Sequence, residues 1–366
     1  MRPFKYIQSF VALVNIVIAI LFIIAAFSDY ISPGQSVFFS YLGLLFPIFF
    51  IINFSFLIYW LVLRRWSYFF IICCSFLLCW KPISRYAPFH FPTDMAQQDN
   101  VIKVLSYNVM GFGYKDHTPN NPNEILQYVI HSEADIVCLQ EYLVGTSENF
   151  LTQEKICEAL HMYPYHYTLP LVYYKKYAMG LAVFSKYPIL NSWKVRYDSS
   201  FNGSSVHEID MNGKKVMVIN NHLESFKLTM DDRSKYSDFL KNMNMDTFDG
   251  LRETVQRKLG SAFVIRAEQA EIVADEIANL QGDYMIVCGD FNDTPISYAH
   301  RVIQGNSLID AYAESGRGIG ISYNQNFFWF RIDHILHSPN IKSYNTTVDK
   351  VALSDHFPIW TYLEMK

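Results

Sequence analysis

The hydrophobic pattern divides the chain into two parts that differ in character on either side of residue 86. Residues 1–86 contain long apolar runs with few interruptions, whereas beyond residue 100 short apolar runs alternate with polar segments. Apolar runs of about 20 residues are typical of helices that cross a membrane. Short runs rich in β-branched residues are typical of buried strands. The pattern therefore predicts an N-terminal membrane region followed by a mixed α/β domain.

Three apolar segments are predicted as transmembrane helices, namely residues 6–27, 37–63 and 66–80. The first is uncharged and longer than the apolar part of a cleaved signal peptide, so we interpret it as a retained helix. The second is long enough to tilt, or to bend at Pro47. The third would extend only about 22 Å as a helix. It therefore either crosses the membrane as a short span or lies at its surface.

Positive charges predict the orientation of these helices. Arg2 and Lys5 precede the first segment and Arg64 and Arg65 follow the second, whereas the loop over residues 28–36 has no Lys or Arg. Because positively charged loops stay in the cytoplasm, the N-terminus is predicted there. With three spans, residues 101–366 lie outside the cytoplasm. With two spans, the same residues lie in the cytoplasm.

Residues 87–100 are polar, contain two prolines and are predicted to be a linker. Residues 1–86 hold six of the 30 Lys and Arg and one of the 34 acids, so residues 87–366 carry 24 bases against 33 acids, a formal charge of −9. This balance disfavours long nucleic acids, which are bound through basic stripes. The six cysteines show no zinc-ligand spacing and no CxxC pair.

Beyond the linker, strands and helices alternate, which predicts an α/β fold with two packed sheets. Met211-Asn212-Gly213 separates two of the strands and predicts a hairpin. The predicted helices cover residues 121–132, 150–161 and 261–281. The predicted strands cover residues 101–108, 134–140, 179–185, 205–211, 214–221, 284–289, 331–336, 344–349 and 359–364.

Polar residues directly follow several of these apolar runs. Carboxylate, amide and imidazole groups collected at strand ends suit a hard divalent cation and an in-line attack on phosphorus. Six short stretches supply them in a fixed order: Ser106-Tyr107-Asn108-Val109, Leu139-Gln140-Glu141, Asn221-His222-Leu223-Glu224, Gly289-Asp290-Phe291-Asn292-Asp293, Arg331-Ile332-Asp333-His334 and Ser354-Asp355-His356-Phe357-Pro358.

Together, these stretches resemble the motifs of the endonuclease/exonuclease/phosphatase superfamily, the deoxyribonuclease-like metal-dependent phosphoesterases. The resemblance covers residues 101–366 and implies a four-layer α/β sandwich of two mixed sheets flanked by helices. It implies Mg²⁺ or Mn²⁺ as the cofactor, held by Glu141, Asp355 and Asn108, where Asn108 either binds the metal or orients Glu141. It also implies five catalytic residues: His222, Asp290, Asn292, Asp333 and His356.

The same resemblance implies a role for each of these residues. Asp290 orients or deprotonates the attacking water. Asn292, on the same face of an extended segment as Asp290, holds a phosphate oxygen. His356, oriented by Asp333, acts as a general acid or base or binds a phosphate oxygen. His222 stabilises charge on the phosphoryl group or on the leaving oxygen.

Other polar residues receive a structural interpretation. His207, His334 and His337 are expected to be packed or surface histidines. Arg266 and Gln269 are expected on a surface helix, although both could face the site. Residues 225–260 are expected to form a solvated helix pair, or else a cover over the mouth of the site. Tyr177, near Gly180, resembles a phosphate-contacting tyrosine of the family.

The sequence thus predicts a membrane-anchored phosphoesterase that acts on a phosphodiester or phosphomonoester. Its expected partners are the lipid bilayer and a small phosphoester or lipid head group, with long nucleic acid possible but not favoured. Two alternatives stay open: a nonspecific endonuclease of the same fold, and a catalytically silent binding module. The complete set of predicted site residues favours an enzyme.

Overall fold

The computed structural model describes residues 2–95, 100–146, 150–226, 245–325 and 328–366. The N-terminal helices are α1 (Arg2–Ala26), α2 (Val37–Leu44), α3 (Phe46–Val62), α4 (Trp66–Leu78) and α5 (Trp80–Tyr86). Only α1 is by itself long and apolar enough to cross a membrane, and up to three spans result if each bent helix pair counts as one.

Both bends fall where the sequence predicts one continuous segment. The α2–α3 pair is bent by 54° just before Pro47, whose ring and missing N–H favour a helix start over a helix interior. The α4–α5 pair is bent by 62° at Cys79. After the second bend, helix α5 continues beyond residue 80 and ends at Tyr86, beside the α/β domain.

The domain over residues 101–366, called the catalytic domain below, follows the prediction of an α/β fold and contains two six-stranded sheets. The first has the order β13-β14-β1-β2-β4-β3 and the second the order β5-β6-β7-β8-β12-β9. The first comprises β1 (Val101–Asn108), β2 (Ile136–Gly145), β3 (Tyr165–Tyr173), β4 (Tyr177–Ser185), β13 (Ile341–Val348) and β14 (Ile359–Met365). The second comprises β5 (Ile189–Lys194), β6 (Gly203–Met211), β7 (Lys214–His222), β8 (Tyr284–Asp290), β9 (Ile309–Asp310) and β12 (Asp333–His337).

A two-stranded ribbon and five helices complete the described part of the domain. The ribbon pairs β10 (Tyr323–Gln325) with β11 (Phe328–Phe330). The helices are α6 (Glu124–His131), α7 (Gln153–Ala159), α8 (Met245–Asn279), α9 (Tyr298–Gln304) and α10 (Ala311–Ser315). The predicted α/β sandwich is confirmed, and every strand that the sequence predicted is present. Strands β3, β5, β9, β10 and β11 are additional. The residues of β3 and β5 are exposed or half-buried and lack a clear apolar run.

The two sheets pack face to face around apolar side chains from both, including Val104, Ile136, Val218 and Ile286. A polar bridge crosses this layer. Gln140 donates from Nε2 to Asn220 Oδ1 at 2.7 Å, and Asn220 donates from Nδ2 to the Leu139 carbonyl at 3.0 Å. Buried amides that bond one another hold the sheets in one register. This register places the ends of β2 and β7 side by side.

Candidate active site

The site lies where the central strands of both sheets end. Strands β1 and β2 run parallel, and so do β7 and β8, so the carboxyl ends of all four meet at one edge of the sandwich. His222 is paired with Asp290 in the β7–β8 ladder, and Asp333 is paired with Asp290 in the β8–β12 ladder. Strand pairing alone therefore brings three of the predicted residues together.

Asn108 joins the two sheets at this edge. Its Nδ2 donates to Glu141 Oε1 and to Asp290 Oδ2, both at 3.1 Å. Its Oδ1 accepts from the Met110 backbone N–H, also at 3.1 Å. Asn108 therefore orients Glu141 through its amide nitrogen, and its role as a metal ligand stays a prediction.

Glu141 lies at an irregularity in the sheet. The β2–β4 register shifts between Leu139 and Tyr142, and Glu141 has a φ of 51°. A non-glycine residue rarely adopts this left-handed conformation, which costs about 1–3 kcal/mol and is found mainly at functional sites. The bulge turns the carboxylate into a cleft, where 29% of the side chain is exposed. The bulge thus presents a carboxylate to an incoming ligand.

His356 stands between two carboxylates. Its Nδ1 contacts Asp333 Oδ2 at 2.9 Å, and its Nε2 lies 3.6 Å from Asp290 Oδ2. Burial lowers the pKa of His356, but the combined charge of Asp333 and Asp290 outweighs it and raises the pKa well above the usual value. The imidazole is therefore held protonated and in one orientation. The contact between Asp333 and His356 is the one expected from the sequence.

Asp290 is at the centre of the cluster and is 1% exposed. Burial raises the pKa of Asp290 to about 6, against the opposing effect of His356. His222 Nε2 lies 3.8 Å from Asp290 Oδ2 and 3.9 Å from Glu141 Oε1. Burial lowers the pKa of His222, so the two histidines of the site are tuned in opposite directions.

The structure corrects the geometry expected for Asn292. Strand β8 ends at Asp290, and Asn292 has a φ of 53°, so the two residues do not follow each other on an extended segment. Instead, the Asn292 N–H donates to Asp290 Oδ1 at 2.8 Å, and its Nδ2 donates to the Leu223 carbonyl at 2.9 Å. Asn292 therefore orients Asp290 through its backbone, and its role toward phosphate stays a prediction.

Asp355 lies at the start of the last motif and is half-buried. The Ser354 hydroxyl donates to the Asn108 carbonyl at 2.8 Å, and its oxygen lies 3.3 Å from Asp355 Oδ1. This serine connects the last motif to the first across 246 residues of sequence. Asp355 is thereby placed next to the cluster, and its role as a metal ligand stays a prediction.

The expectation of a surface position for Arg266 and Gln269 is wrong. Arg266 is 0% exposed, donating to Asp293 Oδ2 and to the Glu224 carbonyl, each at 2.8 Å. Gln269 Oε1 accepts from the Glu224 N–H at 2.8 Å. Both side chains therefore hold the segments that follow His222 and Asn292. Of the predicted cover over residues 225–260, residues 227–244 lie outside the described residues.

An aromatic rim borders the cleft. The ring of Tyr177 lies 6.2 Å from that of Tyr114 and 4.7 Å from that of Tyr174. Glu141 and Asp355 lie close enough to Tyr114 to raise the pKa of that phenol, although burial is the larger cause. Residues 173–177, YYKKY, thus combine exposed aromatic and basic side chains, a pattern that the composition argument overlooked.

The donor set fits a hard divalent cation. Glu141 offers a partly exposed carboxylate, and Asp290, Asp333 and His356 have ligand atoms within 4.8 Å of one another. Carboxylate oxygens are the ligands that Mg²⁺ and Mn²⁺ prefer. No cysteine lies in this cluster among the described residues. A divalent metal held by Glu141 with a neighbouring carboxylate is therefore compatible with the site.

A model of the Endonuclease/Exonuclease/phosphatase family matches residues 105–356, more than half of the chain. This chain belongs to the endonuclease/exonuclease/phosphatase family. It is accordingly a hydrolase that acts on phosphoester bonds, in a family that generally depends on divalent metals. A second family model matches residues 8–86 and describes a domain of unknown function (DUF8431).

Two solved structures show the same fold. An endonuclease/exonuclease/phosphatase from Beutenbergia cavernae DSM 12333 has 16% identity and a TM-score of 0.52, with 73% of this chain and 72% of that one covered. The human nocturnin catalytic domain with bound sulfate anion has 16% identity and a TM-score of 0.51, with 76% and 97% covered. Comparison with curated proteins gave no match.

Proposed function

We propose that the chain is a membrane-anchored phosphoesterase that uses Mg²⁺ or Mn²⁺ to hydrolyse a phosphodiester or phosphomonoester by in-line attack of an activated water. One observation carries this proposal. His356 lies between Asp290 and Asp333, while Asn108 ties Asp290 to Glu141 across the two sheets. A base, an acid and a metal-binding carboxylate are thus adjacent, as phosphoester hydrolysis requires. A silent binding module has no need for this cluster.

Asp290 is the proposed base. Its pKa of about 6 suits proton removal from water near neutral pH, and the Asn108 amide and Asn292 N–H hold it in one orientation. The negative charges of its two carboxylate neighbours keep His356 protonated, so that it would donate a hydrogen bond or a proton to a phosphoryl or leaving oxygen. His222, at the end of strand β7 in the second sheet, would contact the same oxygens. A bound divalent metal would supply charge neutralisation at the phosphoryl oxygens.

We further propose that the N-terminal helices form three membrane spans and place the catalytic domain outside the cytoplasm. Two contacts at opposite ends of the helices support this arrangement. Arg65 Nη2 donates to Gln8 Oε1 at 2.6 Å, joining the α3–α4 connection to the start of α1. Arg85 pairs with Asp29 at 3.2 Å, joining the end of α5 to the α1–α2 loop beside the catalytic domain. The basic end corresponds to the cytoplasmic face.

The test of activity is a substrate panel with the full-length protein in detergent. It should cover DNA, linear and cyclic phosphodiesters, phospholipids and phosphomonoesters, each with Mg²⁺, with Mn²⁺ and with EDTA. We expect hydrolysis of at least one small or lipid phosphoester that EDTA abolishes and Mg²⁺ or Mn²⁺ restores. Hydrolysis that survives EDTA, or no hydrolysis of any substrate, would contradict the proposal.

The test of topology is a pair of reporters fused after Lys366, one active only in the cytoplasm and one active only outside it. We expect the external reporter to be active. A cytoplasmic signal would mean that the α4–α5 pair does not cross. The substrate search would then turn to intracellular nucleotides, nucleic acids and inner-leaflet lipids.

The aromatic rim supports a second candidate function, a nuclease that acts on single strands. Tyr173 is 76% exposed, and with Tyr174, Lys175 and Lys176 it offers the stacking surfaces and charges that single strands bind. The double substitution Tyr173→Ala and Tyr174→Ala separates the candidates. A nuclease should lose most of its activity on single-stranded DNA while a small phosphodiester is cleaved as before. If the double substitution leaves the rates on both substrates unchanged, the nuclease candidate is excluded.

A further inference from the structure

Arg331 connects the N-terminal helical region, residues 2–86, to the strand that begins with Asp333. Its guanidinium donates to the carbonyl oxygens of Arg85 at 2.6 Å, Ile319 at 2.8 Å and Tyr86 at 3.3 Å. The carbonyls of Arg85 and Tyr86 belong to the last turn of α5, where they lack helical partners and carry partial negative charge. Arg331 therefore binds the end of α5 two residues before a catalytic carboxylate.

The segment after Asp290 also ends on the N-terminal helices. The Pro295 carbonyl accepts from Arg85 Nη1 at 3.5 Å, and the same guanidinium pairs with Asp29. Ile296 is 0% exposed and packs in one apolar cluster with the helical region, including Phe22, Ala25, Phe46 and Tyr86. Burial of an isoleucine side chain stabilises a contact because it removes apolar surface from water. The segment is therefore held firmly.

One of these contacts precedes Asp333 in the chain and the other follows Asp290, and these are the two carboxylates beside His356. Asp290 and Asp333 face each other in the β8–β12 ladder, and His334 Nε2 contacts the Asp293 carbonyl at 2.9 Å, which joins both segments. We propose that Arg331 is a positioning residue, through which the helical region sets the separation of the two carboxylates that hold His356. The kinetic part of this proposal rests on the proposed function.

The chemistry of the surroundings fits an arginine. Asp310 is also fully buried and supplies a compensating negative charge; burial opposes its ionisation, but His300 and Arg331 hold the pKa of Asp310 below its usual value. His300, Asp310 and His334 have ligand atoms close enough to share a metal ion, yet the cation of Arg331 makes a second cation unfavourable there. A lysine has the charge but lacks the planar fork that reaches three carbonyls.

The test compares Arg331→Met and Arg331→Lys with Arg317→Met, all in the full-length protein in detergent. Arg317 is the control because it is exposed and its guanidinium lies 4.7 Å from the Phe89 ring, in the segment that follows the helical region, and its backbone pairs with Phe89 rather than with strand β12. We expect kcat to fall by about 10–100-fold in Arg331→Met with little change in KM, since small misplacements of catalytic groups have effects of this size. Arg331→Lys should be intermediate and Arg317→Met near wild type.

Hydrogen exchange gives a readout that needs no activity. In Arg331→Met, peptides covering residues 289–296 and 331–337 should exchange faster, while the β1–β2 peptides and all peptides of Arg317→Met stay protected. Wild-type protection and wild-type kcat in Arg331→Met would overturn the proposal. Faster exchange throughout would indicate global unfolding, in which case the same local comparison in Arg331→Lys decides. If wild type hydrolyses nothing, the proposed function fails, and local exchange still tests the coupling.

Discussion

The two regions of the molecule use buried polar groups in different ways. In the N-terminal helical region such groups form separate pairs between neighbouring helices: Trp60 Nε1 donates to Asn15 Oδ1 at 2.8 Å, and Asn53 donates to the Ile18 carbonyl at 3.4 Å. In the catalytic domain they form a cluster instead. The single carboxylate of Asp290 lies within 4 Å of polar atoms from Asn108, His222 and His356.

The interhelical hydrogen bonds serve packing, whereas the cluster around Asp290 has the properties of a reactive site. A hydrogen bond between neutral groups on two helices stabilises one arrangement at modest cost. A buried carboxylate surrounded by further titratable groups raises the free energy of the charged state, as the raised pKa of Asp290 indicates. Such a cluster is retained where the perturbed groups serve a reaction. Substitutions in the two regions should therefore affect different quantities.

The largest effect is expected from Asp290→Asn. It removes the proposed base and keeps the shape of the side chain, so kcat should fall by at least about 10²–10⁴-fold. The melting temperature should stay equal or rise, because a neutral amide is less costly to bury than a carboxylate. Asp210→Asn, at the far end of strand β6, is the matched control and should keep wild-type activity. Parallel kinetics and thermal melts make the comparison; a modest loss of kcat would exclude Asp290 as the base.

His356→Ala should have the second-largest effect, a loss of about 10²–10³-fold in kcat, because a positioned acid contributes on this scale. Its matched control is His337→Ala. His337 is also a buried histidine beside a carboxylate, with Nε2 3.1 Å from Glu314 Oε2, but it lies away from the site. That control should lower the melting temperature and leave kcat within a few-fold. Equal losses of kcat in both variants would show that burial, not chemistry, explains the effect.

The pH dependence should be smaller and should have a definite sign. Asp290 must be ionised to act, and its pKa is raised to about 6, so kcat/KM should fall as the pH drops through about 6. The free energy of unfolding should change in the opposite sense. The folded protein binds this proton more tightly than the unfolded chain, so stability due to Asp290 decreases as the pH rises from about 4 to about 6. Denaturation of wild type and Asp290→Asn at each pH isolates this contribution; parallel curves would contradict the shift.

The smallest effect is expected from Asn15→Leu in the helical region. It removes a single interhelical hydrogen bond, which typically contributes about 0.5–1.5 kcal/mol. We expect a slightly lower melting temperature in detergent and unchanged kcat. Trp60→Phe should behave alike because it breaks the same bond. A large loss of activity in either variant would mean that the helical region influences catalysis by routes other than Arg331.

Much of the catalytic fold could be predicted locally. The runs VIKVL, VMVIN and YMIVC became β1, β7 and β8 because an apolar β-branched run is stable only when both faces are covered. By contrast, β3 was not predicted. Its residues are all exposed or half-buried, and its place is set by pairing with β4.

Site residues followed the same division. Asp290, Asp333 and His356 were named as candidates from the sequence, because each belongs to a short motif that resembles one of the family. Their hydrogen bonds were not readable. Asn108 reaches Asp290 across 182 residues, and no local pattern indicates which of its amide atoms faces the carboxylates.

By itself, the sequence therefore determined the chemical inventory: apolar helices at the N-terminus, a two-sheet domain and the polar residues at its strand ends. These depend on local periodicity and residue type, which act over a few positions. Only the tertiary structure decided that Arg266 and Arg331 are buried, that Glu141 turns into the cleft, and that the end of α5 contacts a catalytic strand. Such contacts join residues far apart in the chain, and their energies depend on which groups share a desolvated space rather than on sequence neighbours.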